Sequence, residues 1–178
     1  MTHRIVNESP IGVVVVRKGG NGSDGPFQRI LIPVDGSRFS RFAAEVAFAY
    51  AGATGAEATV LHVAHEQRMT SGSIPVPSRR EAQPLAGAGT RAREIRRQIE
   101  EGLGPVAAPQ GARMQIRILT SGSPGDTIIH ESHTGHYDLL ILGSENKMLG
   151  RPLFSGQGTA EIVERAGCTT AVVLWGSP

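Results

Sequence analysis

The sequence predicts an open, doubly wound α/β fold: a five-stranded parallel sheet with helices on both faces, plus an extra strand at the N-terminus. Two observations carry this. Strand-length runs of continuous apolar residues recur along the chain, and segments with helical apolar spacing lie between them. Continuous runs suit strands buried on both faces, as parallel strands are. Regular alternation of strand and helix then favours right-handed crossovers in one sheet. At 178 residues the chain is about one domain's worth, since domains cluster near ~100–150 residues.

The first run, Val13 to Val16, is the extra strand. Ile30 to Val34 opens the repeating unit, and Ser37 is positioned to cap a helix in which Phe39, Phe42, Ala43, Val46, Ala47 and Tyr50 recur at helical spacing before Gly52 and Gly55. A second strand is expected over Ala58–Val63. A second helix is expected over 90–103, where Ala92, Ile95, Ile99 and Leu103 form one stripe and the charges form a solvated face. Met114–Leu119 alternates and so belongs nearer an edge. Ser123-Pro124-Gly125-Asp126 reads as a helix start, with Ser123 as cap and Pro124 at the first helical position, turning Ile128 and Ile129 inward. Leu139–Leu142, a short helix over 159–166 with Ile162 and Val163 buried, and Ala171–Leu174 complete the alternation.

Two segments stand outside that unit. Residues 67–89, with Pro75, Pro77 and Pro84, read as a long mobile loop or a lid. The first 26 residues contain the extra strand. Aligned without gaps, residues 3–19 match 160–176 at Ile5/Ile162, Val6/Val163, Val15/Val172, Val16/Val173 and Gly19/Gly176. Chance similarity between two helix-to-strand junctions is one reading. The other makes residues 1–17 the tail of a preceding homologous domain, 18–26 a Gly-rich linker and 27–178 a complete α/β domain.

Composition narrows the function. Lys plus Arg number 18 and Asp plus Glu 16, a net charge of +2, so charge alone does not suggest nucleic acid. One cysteine, Cys168, makes neither an internal disulfide nor a thiolate zinc site and reads as an inert small residue just before a buried strand. No apolar run approaches the ~18 residues of a membrane span, and Met1–Arg4 does not open a signal peptide, so a soluble cytoplasmic domain is expected.

The literal G-x-G-x-x-G at Gly20, Gly22 and Gly25 leads into a strand instead of a helix and reads as linker. More informative is 143–159. It leaves the carboxyl end of Leu139–Leu142 and enters the last helix, where open parallel sheets bind ligands. Gly143, Gly156 and Gly158 permit either close approach of backbone N–H groups to an anion or ordinary turns. His130, His133 and His136 read as a metal cluster or as polar residues near a helix C-terminus, the second reading agreeing with the helix dipole. His62 reads as packed near the site. Ser37, Ser123 and Ser155 have no base paired to them by pattern, so no catalytic residue is assigned.

Taken in order, Pro33-Val34-Asp35-Gly36-Ser37 (P-x-D-x-S), Leu61-His62-Val63 (L-H-V), Gly122-Ser123-Pro124 and Asp138–Gly143 resemble the universal stress protein family over residues 28–175. The resemblance implies an adenine-nucleotide-binding regulatory or stress-response domain. ATP or another adenine nucleotide would be its ligand, with Mg²⁺ accompanying it, and hydrolysis would be slow or absent. Pro33, Val34, Asp35 and Val63 would lie near adenine and ribose. The family's G-x2-G-x9-G-[ST] loop is matched by Gly143 and Gly156, whereas Asn146 replaces the second glycine and Gln157 the hydroxyl residue, with Gly158 following. Asn tolerates left-handed backbone and Gln keeps a donor. The alternative is a nucleotide-free dimerisation module of the same fold. A homodimer through the last strand is expected, and the loop is similar to those in cytoplasmic tails of cation/proton antiporters, implying a tether to a membrane transporter.

Overall fold

The computed structural model describes residues 12–16, 27–65, 83–84, 89–145 and 158–175. Strands β1 (Val13–Val15), β2 (Arg29–Pro33), β3 (Glu57–His65), β4 (Gln83–Pro84), β5 (Arg113–Ser121), β6 (Leu139–Glu145) and β7 (Thr169–Trp175) form one sheet in the order β1-β7-β6-β2-β3-β5-β4. The inner strands β7-β6-β2-β3-β5 are parallel, and β1 and β4 join antiparallel at the two edges. Numbered along the chain, the parallel strands lie in the order 3-2-1-4-5. The chain therefore reverses direction across the sheet between β2 and β6, the doubly wound arrangement.

Helices α1 (Arg38–Thr54), α2 (Thr90–Ala107), α3 (Pro124–Thr134) and α4 (Thr159–Arg165) are the crossovers. On one face Ile30, Ile32, Val60 and Ile141 pack with Ala43, Ala47, Phe48, Ile99 and Leu103 of α1 and α2. On the other, Leu31, Leu61, Leu140 and Leu142 pack with Ile128, Ile129, Ile162 and Val163 of α3 and α4. Both faces are thus filled, as the continuous apolar strands require. One ion contact ties α3 to α4, Arg165 to Asp126 at 3.2 Å, while within α4 Arg165 also reaches Glu161 at 2.7 Å. Its guanidinium pKa rises above the ordinary value, through the hydrogen bond to Glu161 first and then the charge of Asp126.

Helix α1 departs from the expected stripe. Its buried face is Ser40, Ala43, Ala44, Ala47, Phe48 and Ala51, whereas Phe42 edges onto Trp175 with ring centroids 4.8 Å apart and Val46 is 38% exposed. The reason is close approach: alanines seat the helix near the sheet, while the bulkier Phe42 lies against Trp175 of β7 and Val46 is left exposed. Its cap is as expected, the Ser37 side chain accepting from Ser40 N at 3.2 Å, and Gly55 ends it in the left-handed conformation (φ 77°). Helix α2 runs past the expected residue 103 to Ala107, carrying Pro105 in its last turn. The Ser123 side chain does not accept from a backbone N–H of α3; its Oγ donates to Asp126 Oδ2 at 2.9 Å instead. Within the segment read as a loop, Gln83–Pro84 forms β4 against Thr120 and Leu119.

The N-terminal strand has a definite place. Val13, Val14 and Val15 pair antiparallel with Val172, Ala171 and Thr170. The edge of β7 expected to meet a second copy is, over those residues, taken by a strand of the same chain. The Gly-rich 18–25 segment lies outside the described residues.

Candidate functional site

The site is set by where the ladder between β2 and β6 stops. These strands pair only at Ile30–Leu139 and Leu31–Leu140. On their far sides each continues: β2 with β3 to Pro33–Leu61, and β6 with β7 to Glu145–Trp175. Their carboxyl ends thus part at the point where the strand order reverses, the place where open α/β sheets take ligands.

Pro33 and Val34 are buried at the end of β2, and Asp35 is exposed beyond them. The Val34 peptide is held on both sides, its N–H donating to Leu61 O at 2.8 Å and its carbonyl 2.9 Å from His62 Nδ1. The imidazole donates there, because a carbonyl only accepts. His62 therefore packs beside the site, as the sequence reading holds. Asp35 Oδ1 accepts from Ser37 N at 2.9 Å, closing the turn into α1. Its Oδ2 has no partner among the described residues, leaving one exposed carboxylate oxygen for a hydroxyl donor. Val63 is half-buried two residues short of the end of β3, across from Leu119.

Gly143 is buried in β6, and the reason it is glycine is local. A Cβ there would collide with the Phe39 carbonyl and come within 2.9 Å of Ser40 N. Only a residue without a side chain lets the first turn of α1 lie this close to β6. Gly158 is different: it is the N-cap of α4, its carbonyl accepting from Glu161 N at 3.0 Å, with open space where a Cβ would stand. Asn146, Gly156 and Gln157 lie outside the described residues. The structure therefore brings Val34, Asp35 and Gly143 together, with Val63 one strand away.

Asp138, which sequence reasoning used only as a family marker, has a structural task at the opposite end. Its Oδ2 and Oδ1 accept from Gln28 N (2.8 Å) and Arg29 N (3.0 Å), and its own N–H donates to Arg29 O at 3.0 Å. It clamps the amino ends of β2 and β6. The histidine cluster separates: His133 Nε2 donates to Arg165 O at 2.8 Å and links α3 to α4, while His136 lies past the helix at φ 55°. Among the described residues no group of His, Cys, Asp or Glu is placed to hold a metal ion. Nor is any described helix long and apolar enough to cross a membrane.

The sequence model of the universal stress protein family matches residues 26–173. The chain belongs to the universal stress protein family. No curated protein matches the sequence. Among solved structures, a universal stress protein in complex with cAMP is 18% identical, with a TM-score of 0.58 over 84% of this chain and 98% of that one. An Arabidopsis thaliana family protein with AMP bound is 18% identical, with a TM-score of 0.53 over 84% and 93%. A universal stress protein from Archaeoglobus fulgidus is 19% identical with a TM-score of 0.66; that match covers 99% of this chain but 54% of the other, so this chain spans about half its length. At these identities the likeness establishes the fold.

Proposed function

We propose that this universal stress protein domain binds an adenine nucleotide in the crevice between the carboxyl ends of β2 and β6 and acts as a regulatory stress-response module, without a catalytic residue of its own. The observation that carries the reading is the parting of β2 from β6 beyond Leu31 and Leu140, with the exposed Asp35 carboxylate at its mouth. An unpaired carboxylate oxygen suits a ribose hydroxyl, which donates to it. The apolar Val34 and half-buried Val63 suit the edge of a purine. The 143–158 segment would carry the phosphates, through Asn146, Gly156, Gln157 and Gly158, with Mg²⁺ accompanying a triphosphate. Structures of family members holding cAMP and AMP support the ligand class.

Calorimetric titration of the whole chain with ATP, ADP, AMP and cAMP tests this, alongside Gln157→Ser, which restores the hydroxyl of the family loop. Saturable wild-type binding, equal or tighter in Gln157→Ser, is expected. Absence of binding to all four in both proteins overturns the reading in favour of a nucleotide-free dimerisation module. A cytoplasmic setting is proposed from the sequence and a transporter tether from the loop resemblance; co-purification with membranes checks the tether.

A further inference from the structure

The edge of the sheet at β5 is met along its length by two different things. Near the carboxyl end it is met by β4, with Gln83 opposite Thr120 and Pro84 opposite Leu119. Proline has no N–H to donate, so the hydrogen-bonded pair of this short antiparallel ladder is Gln83–Thr120, and the N–H and C=O of Thr120 point outward to β4. Alternation along the strand turns those of Ile118, Ile116 and Met114 the same way. A second contact agrees: Arg96 of α2 donates from Nη2 to Ile116 O at 3.2 Å. At Ile116 the outward carbonyl is thus met by a side chain and not by a strand.

Arginines flank these outward groups on both sides of the sheet. Arg117 reaches Glu131 of α3 and Leu119 joins that core, whereas Met114 and Ile116 pack on the α1–α2 side. Arg113, Gln115 and Arg117 therefore stand in a row on the α3 side, all exposed, and Arg96 stands on the α2 side. The nearby carboxylates are largely committed elsewhere. Glu94 and Glu101 meet Arg97, and the buried Glu131 holds Arg117 through Oε1 at 3.1 Å. That contact fixes an arginine whose side chain is 49% exposed, with further N–H donors facing water. Glu57 faces Arg113 across the ladder to β3 and Glu100 follows Arg96 by one helical turn, yet among the described residues neither Arg96 nor Arg113 makes an ion contact.

We propose that the β5 edge is a docking strand for an extended acidic segment of a partner protein, and that Arg96 admits such a segment while refusing neutral and basic ones. Main-chain pairing at a sheet edge is a general mode of peptide recognition. Here an incoming strand needs Ile116 O to accept one of its N–H groups, and the Arg96 guanidinium stands in that place. A carboxylate draws the guanidinium away, because charge attraction is added to its hydrogen bond. A segment without one must displace Arg96 with nothing in return, and a basic one meets like charges as well. Residues facing each other in a ladder project from the same side of the sheet. The fitting segment therefore carries acids opposite Arg113 and Arg117 and, on the α2 side, opposite Ile116, in the pattern E-x-x-E-E read along β5. Charges on an edge strand deter indiscriminate pairing; at β5 they also select one class of partner. The inference does not depend on nucleotide binding.

The test uses the whole chain and two labelled peptides of Val and Thr, with Glu placed in that pattern and in its reverse, titrated by fluorescence anisotropy. One of them should bind saturably and slow amide hydrogen exchange at Met114, Ile116 and Ile118. Gln in place of its Glu residues, or Arg113→Gln in the protein, should weaken binding roughly tenfold or more. Proline opposite Ile116 should abolish it, since the N–H that Ile116 O accepts is gone. Arg96→Ala separates a gate from simple attraction: it should weaken the Glu peptide and strengthen the Gln peptide relative to wild type. Arg96 and Arg113 are exposed, so both variants should keep the wild-type thermal midpoint, and the peptide substitutions decide the matter on wild type alone. Absence of binding by both Glu peptides overturns the proposal, as does binding that survives the proline or leaves exchange along β5 unchanged. So does an Arg96→Ala variant that weakens both peptides alike, or duplex DNA binding as tightly as the Glu peptide, which would make the edge a general polyanion surface.

Discussion

Two aspartates stand at opposite ends of the same pair of strands, and their hydrogen bonds differ. Asp138, at the amino ends of β2 and β6, has both carboxylate oxygens filled by the backbone N–H groups of Gln28 and Arg29. Asp35, at the carboxyl ends, has one oxygen engaged by Ser37 N and the other facing outward. A carboxylate whose acceptors are filled by its own chain holds strands together. One with an acceptor to spare is available to a ligand. The difference follows from the ladder: β2 and β6 are joined where Asp138 stands and part before they reach Asp35.

Asp138→Ala should break the clamp most severely. It removes two charge-assisted hydrogen bonds and leaves two backbone N–H groups without them, at a cost of about 3 kcal/mol. Urea unfolding would read this as a lower midpoint at unchanged slope, and nucleotide affinity, measured where the variant is folded, should stay near wild type. A variant that loses affinity but not stability would reverse the roles of the two ends.

Gly143→Ala is expected next in size. Its methyl would meet the Phe39 carbonyl, backbone that cannot rotate aside, so α1 must lift from β6 at a cost of about 2 kcal/mol. Because that turn also carries Asp35, affinity should fall together with stability. Gly158→Ala, where a Cβ meets open space, should change stability by less than about 0.5 kcal/mol. Thermal unfolding of the two side by side separates a glycine required by packing from one that is not.

Asp35→Ala should cost little stability, about 0.5–1 kcal/mol for the lost turn hydrogen bond. Titration should show the larger consequence, a roughly tenfold or greater loss of adenine-nucleotide affinity, since losing a hydrogen bond to a charged group is worth about 1.5–3 kcal/mol. An affinity unchanged by Asp35→Ala would remove the carboxylate from the site and leave the contrast with Asp138 without a functional side.

Much of this was legible in the chain alone, and particular residues show where legibility ended. The apolar runs at Ile30, Leu139 and Ala171 located strands because a strand buried on both faces must be apolar throughout. Ser37 located a helix start because a hydroxyl there fills an orphan donor. Phe42 and Val46 were read as core from spacing, yet Phe42 lies against Trp175 and Val46 is exposed. Spacing defines a stripe but not which side of it a neighbour approaches, and alanines permit the closer approach. Gly143 was read either as backbone made bare for an anion or as part of an ordinary turn. The turn of α1 that forbids a Cβ there is about a hundred residues away in sequence and appears in no local pattern. Asp138 looked like a motif letter because its partners, Gln28 and Arg29, are equally remote.

What the sequence by itself determined is the alternation of strand and helix, the family, and the likeness of residues 13–15 to those of the last strand, since each is written in residues close together along the chain. The tertiary structure alone decided the order 3-2-1-4-5, the parting of β2 from β6 at the candidate site, the different hydrogen-bond partners of Asp35 and Asp138, and the register that sets Val14 against Ala171. Those depend on contacts between distant segments, where close packing and the filling of hydrogen-bond acceptors, and not local propensity, determine which groups meet.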